Sequence, residues 1–526
     1  MEVNHMNVNH MNVNHMDVNR MEVNRMDVRA FIDRFERYGD RTAFLWREES
    51  YSYRWLAREI RSASNQLERL GIRRGVVSLE EEDSPYAAAA LFALLRLGCI
   101  VLPIDRRLPN EKVREYLAVG EAQARVRAEE RGVSATPCGE GTVRHELLVS
   151  LLTEEAPGLV VFSSGSTGRS KAAVHRADRL LKKFERAGRA NVTIAFMKFG
   201  HIGGLNTLLQ TLANGGTLCF LNDRSPEEVC RTIERHRAEA LPASPTFLNL
   251  LLLSEAWRRF ELSSLKVVSY GSEPMPPATL AAWNARFPWV RTVQAYGMSE
   301  LGVLPTKSRG SDSLHFSLRG GEGAYRLVDG MLEIKSESAM VGYLNAPSPF
   351  TEDGWLRTGD EAVVEDGYLR ILGRRSEMIN VGGEKVYPAE VEGVLERIEG
   401  VEAVVVEGEP SGITGQLVKA TVKLRPGAEM SLGELRRAIR EFCADKLPPY
   451  KIPQKIALTT ESLTGDRLKK VRHAAGAASV GAGIEDGSPL SAGTRACLGG
   501  CGGTRSGEVT CCGPQPITQS QSNDTR

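Results

Sequence analysis

The sequence predicts an α/β fold, with a large N-terminal domain of stacked, mostly parallel sheets and helices, followed by a small α+β domain. Two observations support this prediction. From about residue 29, amphipathic helical stretches alternate with short apolar runs, which is the pattern of parallel sheets covered by helices. The chain has 526 residues, which is too long for one ordinary hydrophobic core, so we expect two or three domains.

The large domain alternates predicted helices and strands in chain order. Apolar residues at helical spacing predict helices over residues 51–72, 87–98 and 226–240. Short apolar runs predict buried strands at CIVLPI, GLVVF, TLCFL and LKVVSY. This alternation favours sheets that are covered by helices on their faces.

The pattern changes after residue 373. There VYPAEVEGVLERIEGV and LGELRRAIREFCADKL predict helices, and EAVVVEG and QLVKATVKL predict strands. These elements fill about 100 residues, which is a common domain size. We therefore predict a large domain at 29–373 and a small domain at 374–475.

The two ends of the chain differ from the middle. Residues 1–28 repeat a pentad that begins with Met, and Met26 is our favoured start of translation. A period of five fits neither helix nor strand, so we predict a disordered leader rather than a metal site at its regularly spaced histidines. Residues 476–526 are rich in Gly, Ser and Thr and predict a disordered tail. The cysteines of this tail are spaced poorly for zinc: Cys497, Cys501, Cys511 and Cys512.

Charge and cysteine usage limit the function classes. With 67 basic and 66 acidic residues, the chain shows no field suited to nucleic acid. Its apolar stretches are far shorter than the roughly 20 residues of a membrane-spanning helix, so we expect none. The remaining cysteines are scattered singly, which favours a reduced, cytoplasmic protein: Cys99, Cys138, Cys219, Cys230 and Cys443.

The stretch VVFSSGSTGRSKAAVH, residues 160–175, turns from an apolar strand into small hydroxylated residues. It is not a Walker motif, because Gly165 and Gly168 are too close together and Lys171 follows Ser170. Its residues still suit a phosphate group, since glycines let backbone N–H groups line up and a lysine adds positive charge. Taken alone, the stretch fits a plain flexible loop equally well.

Three further motifs follow in order: QAYGMSE (294–300), GWLRTGD (354–360) and GYLRILGRRSEMINVGGEKVYPAEVE (367–392). Each has an ordinary structural interpretation. Tyr296 fits a core position, Asp360 a turn and Arg374 a solvated charge. All four motifs together, in this order, are hard to obtain by chance.

On these four motifs the chain resembles the adenylate-forming (AMP-binding) superfamily, which contains acyl- and aryl-CoA synthetases, peptide-synthetase adenylation domains and luciferase. The resemblance runs from Phe31 to Arg472. It implies that a carboxylate attacks the α-phosphorus of ATP, that pyrophosphate leaves, and that a thiol then takes the acyl group from the adenylate. The thiol would be coenzyme A or a carrier-protein phosphopantetheine. The resemblance also implies a requirement for magnesium and a mobile small domain.

The resemblance assigns roles to individual residues. Glu300 would bind Mg²⁺ and Ser299 would meet the α-phosphate. Asp360 and Arg374 would hold the ribose, Ser376 would be the hinge between domains, and the thiol channel would be lined by Gly382 and Gly383. The other nucleotide contacts would be Ser163, Ser164, Gly165, Ser166, Thr167, Gly168 and Lys171 on the phosphates, with Gly271, Ser272, Glu273, Tyr296 and Gly297 around adenine.

The chain departs from the family at its final motif, where G-K-x-x-R normally supplies a lysine that bridges the substrate carboxylate and the α-phosphate. This sequence reads LTGDRLKKVR. Alignment on Gly465 puts Asp466, of the wrong charge, at the lysine position. Alignment on Arg472 keeps K-x-x-R and favours Lys469 as the catalytic lysine. Lys470 is the second choice, and a solvated basic helix end is the structural alternative.

Residues 196–208 correspond to the wall of the acyl pocket in the family. Relatives that activate α-amino acids carry an Asp there, whereas this chain has Gly200 and His201. We therefore expect a fatty, short-chain or aryl acid, with His201 as a catalytic-site gate and Thr246 and Phe247 lining the same pocket. The alternatives are a stand-alone enzyme that loads an acyl carrier protein, and a degenerate nucleotide-binding protein.

Overall fold

The computed structural model describes residues 27–81, 83–139, 141–164, 170–318, 323–465, 469–470 and 472. The predicted tail and nearly all of the predicted leader lie outside these residues. The α-helices of the described residues are α1 (Val28–Tyr38), α2 (Tyr53–Arg69), α3 (Pro85–Arg96), α4 (Asn110–Val119), α5 (Glu146–Thr153), α6 (Ala177–Leu181), α7 (Ile202–Ala213), α8 (Pro226–His236), α9 (Pro245–Ser254), α10 (Pro277–Arg286), α11 (Pro388–Leu395) and α12 (Leu432–Cys443).

The strands of the described residues follow in the same order. They are β1 (Thr42–Trp46), β2 (Glu49–Ser52), β3 (Val76–Glu81), β4 (Ile100–Asp105), β5 (Ala124–Glu129), β6 (Gly132–Pro137), β7 (Gly158–Ser164), β8 (Ser170–Arg176), β9 (Val192–Ile194), β10 (Thr217–Cys219), β11 (Ala240–Ala243), β12 (Val267–Tyr270), β13 (Arg291–Gln294), β14 (Tyr296–Met298), β15 (Gly302–Leu304), β16 (Thr306–Ser308), β17 (Phe316–Leu318), β18 (Gly323–Val328), β19 (Met331–Ser336), β20 (Gly342–Tyr343), β21 (Leu356–Glu365), β22 (Tyr368–Arg374), β23 (Ile379–Val381), β24 (Glu384–Val386), β25 (Val401–Ser411), β26 (Gly415–Leu424) and β27 (Lys455–Thr459).

Serine caps explain where several helices begin. The side-chain oxygens of Ser52, Ser84, Ser225, Ser244 and Ser431 each accept a hydrogen bond from an N–H group in the first turn of α2, α3, α8, α9 and α12. Such caps satisfy donors that would otherwise lack a partner at a helix start. Every helix and strand predicted from the quoted runs is confirmed.

Two seven-stranded sheets carry most of the predicted parallel pairing. The first has the order β13-β12-β11-β9-β10-β1-β2, and its pairs are parallel except β1 with β2. The second has the order β20-β8-β7-β4-β3-β5-β6, with β3, β4, β5 and β7 parallel and the outer strands antiparallel. The predicted α/β class with mostly parallel sheets is confirmed for this part of the chain.

Helix α3 lies in a core that the two sheets share. Its residues 87–95 are at most 3% exposed, and the same apolar cluster contains Phe44 and Leu218 from the first sheet and Val77 and Leu159 from the second. A helix that is apolar on every side must be buried all round. The alanine-rich run 87–90 is therefore a packing element between the sheets.

A third, antiparallel sheet was not predicted. Its order is β16-β17-β22-β21-β19-β18, and the short ribbon β14-β15 lies apart from it in the pairing. Asp360 of the motif 354–360 lies on strand β21, and Arg374 of the motif 367–392 lies on strand β22. These two residues are paired directly across the two strands. This sheet therefore positions the expected ribose contacts.

The small α+β unit has the sheet order β24-β23-β26-β25, with β27 parallel to β26, and its core includes residues of α11 and α12. The chain leaves the third sheet at Arg374 and enters this sheet at Ile379, through the 3₁₀ turn Arg375–Glu377. A Cβ on Gly393 of α11 would lie 2.7 Å from Cβ of Pro276, next to α10. The domain limits at 373 and 475 stay predictions.

Two expectations are corrected by the structure. The last pentad is not wholly part of a leader, because Asp27 caps α1 and Val28 is buried. Phe247 does not line a pocket, because it is 0% exposed and its ring packs 4.3 Å from that of Phe196 in a core cluster. Within the described residues, no helix is long and apolar enough to span a bilayer.

Gly203 and Gly204, in the first turn of α7, form a matched pair for a packing test. A Cβ on Gly204 would lie 1.9 Å from the Lys198 carbonyl oxygen. We expect Gly204→Ala to lower the free energy of unfolding by about 1–3 kcal/mol, since backbone must move. A Cβ on Gly203 would meet only the flexible end of Met197, at 3.0 Å, so Gly203→Ala should cost less. Urea denaturation of both variants measures this, and equal losses would contradict the packing.

Candidate active site

The Ser- and Gly-rich stretch lies at the end of a β-hairpin. Strands β7 and β8 pair antiparallel up to Ser163 opposite Lys171 and Ser164 opposite Ser170. Gly165, Ser166, Thr167 and Gly168, which we expected to contact the phosphates, lie outside the described residues. The hairpin therefore brings Ser163 and Lys171 together at the start and end of the loop.

Tyr116 and Asn345 support the base of this loop. The Tyr116 ring stacks on Phe162 with centroids 3.8 Å apart, and its hydroxyl lies 2.9 Å from Oγ of Ser170. Asn345 pairs with the backbone of β8 twice, accepting from Ala172 N at 2.9 Å and donating to Ser170 O at 2.8 Å. Sequence reasoning missed both residues, although GYLNAP (342–347) holds two polar residues among apolar ones.

Tyr296 and Asp360 meet in a buried contact. The Tyr296 hydroxyl donates to Oδ2 of Asp360 at 2.7 Å, and its ring stacks on Phe316 with centroids 5.7 Å apart. Tyr296 is 7% exposed. Gly297 admits no side chain, because a Cβ would lie 2.6 Å from Gly302 O. The nucleotide motif thus has a fixed aromatic ring next to the expected ribose carboxylate.

Asp360 also pairs with Arg374. The Nε atom of Arg374 lies 3.2 Å from Oδ1 of Asp360, on the neighbouring strand. Burial raises the pKa of Asp360, and the Arg374 charge and the Tyr296 hydroxyl oppose that rise. The charges of Glu377 and Glu300 add to the rise.

Glu300 is held by Tyr343 and lies on the Lys171 side of the site. The Tyr343 hydroxyl donates to Oε1 of Glu300, and the Lys171 ammonium lies 5.4 Å from the centre of the Tyr343 ring. Met340 N donates to the backbone oxygen of Glu300 at 2.7 Å. Burial and the Glu300 charge raise the pKa of Tyr343, so this hydroxyl stays a donor. The expected phosphate and metal residues therefore share one contact network.

His175, which the sequence did not single out, is fully buried behind this network. Its Nε2 lies 2.6 Å from Ser299 O. Because a carbonyl oxygen only accepts, Nε2 carries the proton. Burial lowers the pKa of His175 to about 4. The ring is therefore neutral at neutral pH.

The expected adenine-edge residues form a tight turn after β12. A Cβ on Gly271 would lie 2.6 Å from Ala295 O, so the backbone passes too close for a side chain. Ser272 adopts a φ of 70°, which is unusual for a residue other than glycine. Glu273 accepts from Thr246 N at 2.8 Å, at the start of α9. This turn is thereby joined to the helix expected at the acyl pocket.

His201 occupies the cap position of α7, on the segment expected to form the pocket wall. Just before it, the buried Lys198 forms an ion pair with Asp105, which ends β4. Burial alone would raise the pKa of Asp105, but Lys198 and Arg107 lower it below its usual value. The positive charge of Lys198 is therefore already matched by a carboxylate.

The described residues of the C-terminal basic segment pair with one another and form no helix end. Thr464 and Lys470 form an antiparallel bridge, and Gly465 N donates to Lys469 O at 3.0 Å. Lys469 and Lys470 are adjacent, so their side chains leave opposite faces of the strand. The tip with Asp466 lies outside the described residues. The predicted alternative of a solvated helix end is wrong.

Lys470 is committed to a buried ion cluster. Its ammonium lies 3.0 Å from Glu392, on α11, and 2.6 Å from Glu396, the C-cap residue of that helix. Arg472 joins the cluster at 2.6 Å from Glu392 and at 3.1 Å from Glu377. Burial would raise the pKa of Glu392, but Lys470 and Arg472 lower it. Two glutamates four residues apart on a predicted helix were the available signal for this cluster.

The expected hinge and thiol-channel residues lie in two turns that follow Arg374 in the chain. Ser376 is exposed in the 3₁₀ turn between β22 and β23. Gly382 and Gly383 form the exposed turn between β23 and β24, with φ of 62° and 96°. Left-handed backbone at both turn positions favours glycine. The roles of these three residues stay predictions.

The site suits magnesium only with help from the nucleotide. Among the residues that the structure describes, no group of three or more His, Cys, Asp or Glu side chains is placed to hold a metal. Magnesium commonly takes one or two carboxylates plus phosphate oxygens of the substrate. Glu300 fits that pattern, because Tyr343 contacts both its carboxylate and the expected phosphate residue Lys171.

Comparison with protein families decides what the chain is related to. The family model described as AMP-binding enzyme matches residues 31–315, and the model of its C-terminal domain matches residues 390–470. The chain belongs to the AMP-binding enzyme family. This membership confirms the resemblance read from the four motifs and the expected enzyme class, an AMP-forming acid–thiol ligase that uses ATP and magnesium.

Curated relatives of this family member span most of its length. It is 29% identical to a feruloyl-CoA synthase from Amycolatopsis sp over 447 residues, which cover 78% of this chain and 90% of the relative. It is 26% identical to an indoleacetate–CoA ligase from Aromatoleum aromaticum over 487 residues, which cover 82% and 94%. Both relatives are ligases that form CoA thioesters of aromatic acids, by their names.

Solved structures share the fold of this AMP-binding enzyme. The anthranilate CoA ligase AuaEII in complex with anthranoyl-AMP matches with a TM-score of 0.71 and 21% identity, over 85% of this chain and 97% of that chain. ATP-bound MatB from Rhodopseudomonas palustris matches with a TM-score of 0.68 and 23% identity, over 84% and 97%. The expected two-part α/β fold class is confirmed.

Acid should destabilise the protein through His175. Its pKa is 6.5 ordinarily and about 4 when buried, with Ser299, Ser338, Glu300 and Lys183 as the neighbours that act on it. Because the pKa of His175 is lower in the folded protein than in the unfolded chain, the unfolded chain takes up a proton first as the pH falls. The contribution of His175 to stability is therefore complete above pH 6.5 and is lost as the pH falls toward about 4. The difference is worth about 3 kcal/mol.

The measurement is urea denaturation of wild type and His175→Gln at about pH 7 and about pH 4.5. The wild type should lose about 2–3 kcal/mol more than the variant between these two pH values. Equal losses would contradict a buried neutral histidine.

Proposed function

We propose that this enzyme activates an aryl or arylalkanoic acid with ATP and magnesium, and transfers the acyl group from the adenylate to coenzyme A. The observation that supports it best is a pair of contact networks, one of Tyr296, Asp360 and Arg374 and one of Glu300, Tyr343 and Lys171. Four separate sequence motifs supply all of these residues except Tyr343.

In the first step, a carboxylate oxygen of the acid bonds to the α-phosphorus of ATP, and the bond from this phosphorus to the pyrophosphate oxygen breaks. Catalysis of such a step is mostly positioning and neutralisation of charge. Asp360 would accept from the ribose hydroxyls, with Arg374 beside it, and Tyr296 would pack on adenine. Ser299 would donate to the α-phosphate oxygens and Lys171 would hold the departing pyrophosphate. Magnesium held by Glu300 would neutralise phosphate charge.

In the second step, the thiol attacks the acyl carbon and AMP leaves with the electron pair of the broken carbon–oxygen bond. We propose that residues 374–475 then turn about Ser376 as a mobile small domain. This turn would bring the glycine pair Gly382 and Gly383 beside the thiol. The left-handed φ values of this pair allow its backbone to pass close to a ligand.

Lys469 remains our proposal for the lysine that bridges the acid and the α-phosphate. Lys470 is a poor candidate, because its partners Glu392 and Glu396 belong to the same small unit. Turning that unit as a body would move all three together and would not release the ammonium. Lys469 is the neighbouring residue, and it is the lysine that alignment on Arg472 places at the family's K-x-x-R position.

The aromatic class is supported by two facts. The two relatives described above, which cover 78% and 82% of this chain, are named for feruloyl-CoA and for indoleacetate. The pocket-wall segment has Gly200 and His201 where an α-amino acid would require an acidic partner. His201 would lie at the entrance of the acyl pocket.

We also propose a cytoplasmic location. The five cysteines of the described residues are unpaired, and four of them are buried, which fits a reducing compartment. An acyl carrier protein is the alternative acceptor, because its phosphopantetheine presents the same thiol chemistry as coenzyme A. Supplying each acceptor to preformed adenylate distinguishes the two.

The proposed function predicts acid-dependent exchange of pyrophosphate into ATP. We expect exchange with cinnamic, benzoic or arylacetic acids, at least tenfold weaker exchange with fatty acids, and none above background with amino acids. Exchange led by fatty acids would contradict the aromatic class alone. ATP binding without exchange on any acid would favour the degenerate nucleotide-binding protein instead.

Two lysine variants separate the catalytic and structural assignments. Lys469→Ala should reduce exchange at least a hundredfold in a protein that still unfolds cooperatively. Lys470→Ala should lower the free energy of unfolding by about 3–5 kcal/mol, because it leaves two buried carboxylates with less positive charge. If Lys469→Ala keeps full exchange in a stable protein, Lys469 is not the bridging lysine.

A further inference from the structure

The backbone carbonyls of three successive residues, 299–301, which include Ser299 and Glu300, accept hydrogen bonds from other segments of the chain. The donors, in order, are His175 Nε2 on Ser299 O at 2.6 Å, Met340 N on Glu300 O at 2.7 Å and Ser338 Oγ on Leu301 O at 2.8 Å. We name residues 299–301 with these donors the carbonyl clamp. A segment held at each carbonyl has little freedom to turn.

His175 differs from the other two donors in its location. It lies on β8, the strand that begins at Ser170, directly after the phosphate loop, and carries Lys171. It therefore joins the strand that presents the expected phosphate lysine to the segment that presents the expected metal carboxylate. Met340 and Ser338 instead belong to the segment between β19 and β20.

The same strand β8 also places Tyr343. Strand β20 pairs with β8 in a register that sets Tyr343 opposite Ala173, two residues before His175. From there the Tyr343 hydroxyl reaches the Glu300 carboxylate. Strand β8 thus fixes the backbone of the motif through His175 and its side-chain carboxylate through Tyr343.

The hydrogen bond of His175 to Ser299 uses the one donor that a neutral imidazole has. Its other ring nitrogen, Nδ1, has no hydrogen-bond partner among the described residues and no exposure to solvent. Leaving a buried acceptor unpaired costs stability. An apolar residue of similar size would fill this space without that cost, so the tether to Ser299 is the contact that distinguishes histidine here.

We propose, resting on the proposed function, that His175 is a positioning residue that holds Ser299 and Glu300 in register with Lys171 for binding of the magnesium–ATP complex. His175 touches neither nucleotide nor acid and acts through the Ser299 carbonyl. Its loss should weaken the binding of ATP with magnesium more than the binding of ATP without it, because Glu300 would lose its fixed place.

Two substitutions form a matched pair. In His175→Gln, the side-chain amide nitrogen reaches the place of Nε2 and can still donate to Ser299 O. In His175→Asn, the amide nitrogen reaches only the place of Nδ1 and loses this bond. Both are neutral amides in the same buried site, so a merely structural effect of polarity would affect both.

Calorimetric titration with ATP, in magnesium and in EDTA, measures the effect on the full-length protein without added acid. His175→Asn should bind ATP in magnesium about tenfold more weakly than wild type, which is the effect of one lost hydrogen bond. His175→Gln should stay within about twofold of wild type, and all three should bind similarly in EDTA. The proposal would be overturned if His175→Asn bound ATP in magnesium as tightly as wild type, or if its affinity for ATP were reduced in EDTA by the same factor as in magnesium.

If His175→Asn does not fold, Ser338→Ala takes its place as the test variant. This substitution removes one hydroxyl and with it the hydrogen bond to Leu301 O in the same carbonyl clamp. It should also weaken binding in magnesium selectively, and an unchanged affinity would overturn the clamp. A wild type that binds ATP with magnesium but exchanges no acid would contradict the proposed function alone. The titration would still decide the role of His175.

Discussion

The buried carboxylate of Asp360 organises the site. A carboxylate removed from water must be matched by donors or positive charge, and this one takes a hydroxyl from Tyr296 on one oxygen and lies beside Arg374 on the other. Tyr296 is on the ribbon β14-β15 and Arg374 on β22, so satisfying one charge fixes the antiparallel sheet against the ribbon. The nucleotide motifs acquire their relative positions from this contact.

Glu361, the next residue along β21, has a corresponding role toward the small unit. Adjacent strand residues point to opposite faces, and Glu361 is 3% exposed and accepts from Lys385 at 2.8 Å and from Tyr387. Both donors belong to the segment that leads into α11. Strand β21 therefore presents the Asp360 carboxylate to the expected ribose site and the Glu361 carboxylate to the small unit. This arrangement couples the position of that unit to the nucleotide site.

Helices, strands and motif residues were predictable because their signals are local. Apolar periodicity and the order of four motifs gave the elements and the candidates. His175 and Tyr343 were not predictable, because their partners Ser299 and Glu300 lie 124 and 43 residues away in the chain. The antiparallel sheet was missed because its longer strands, β19, β21 and β22, mix apolar and polar residues. Lys470 was interpreted from the sequence as a possible solvated charge, whereas in the structure its ammonium lies beside Glu392 and Glu396.

The central claim is that the acid's own oxygen attacks the α-phosphorus of ATP. Incubation of the enzyme with ATP, coenzyme A and an accepted aromatic acid carrying ¹⁸O in its carboxylate tests this directly, by mass spectrometry of the nucleotide product. The account predicts AMP that carries one ¹⁸O atom, with unlabelled pyrophosphate. Unlabelled AMP, or ADP with the label in inorganic phosphate, would contradict it.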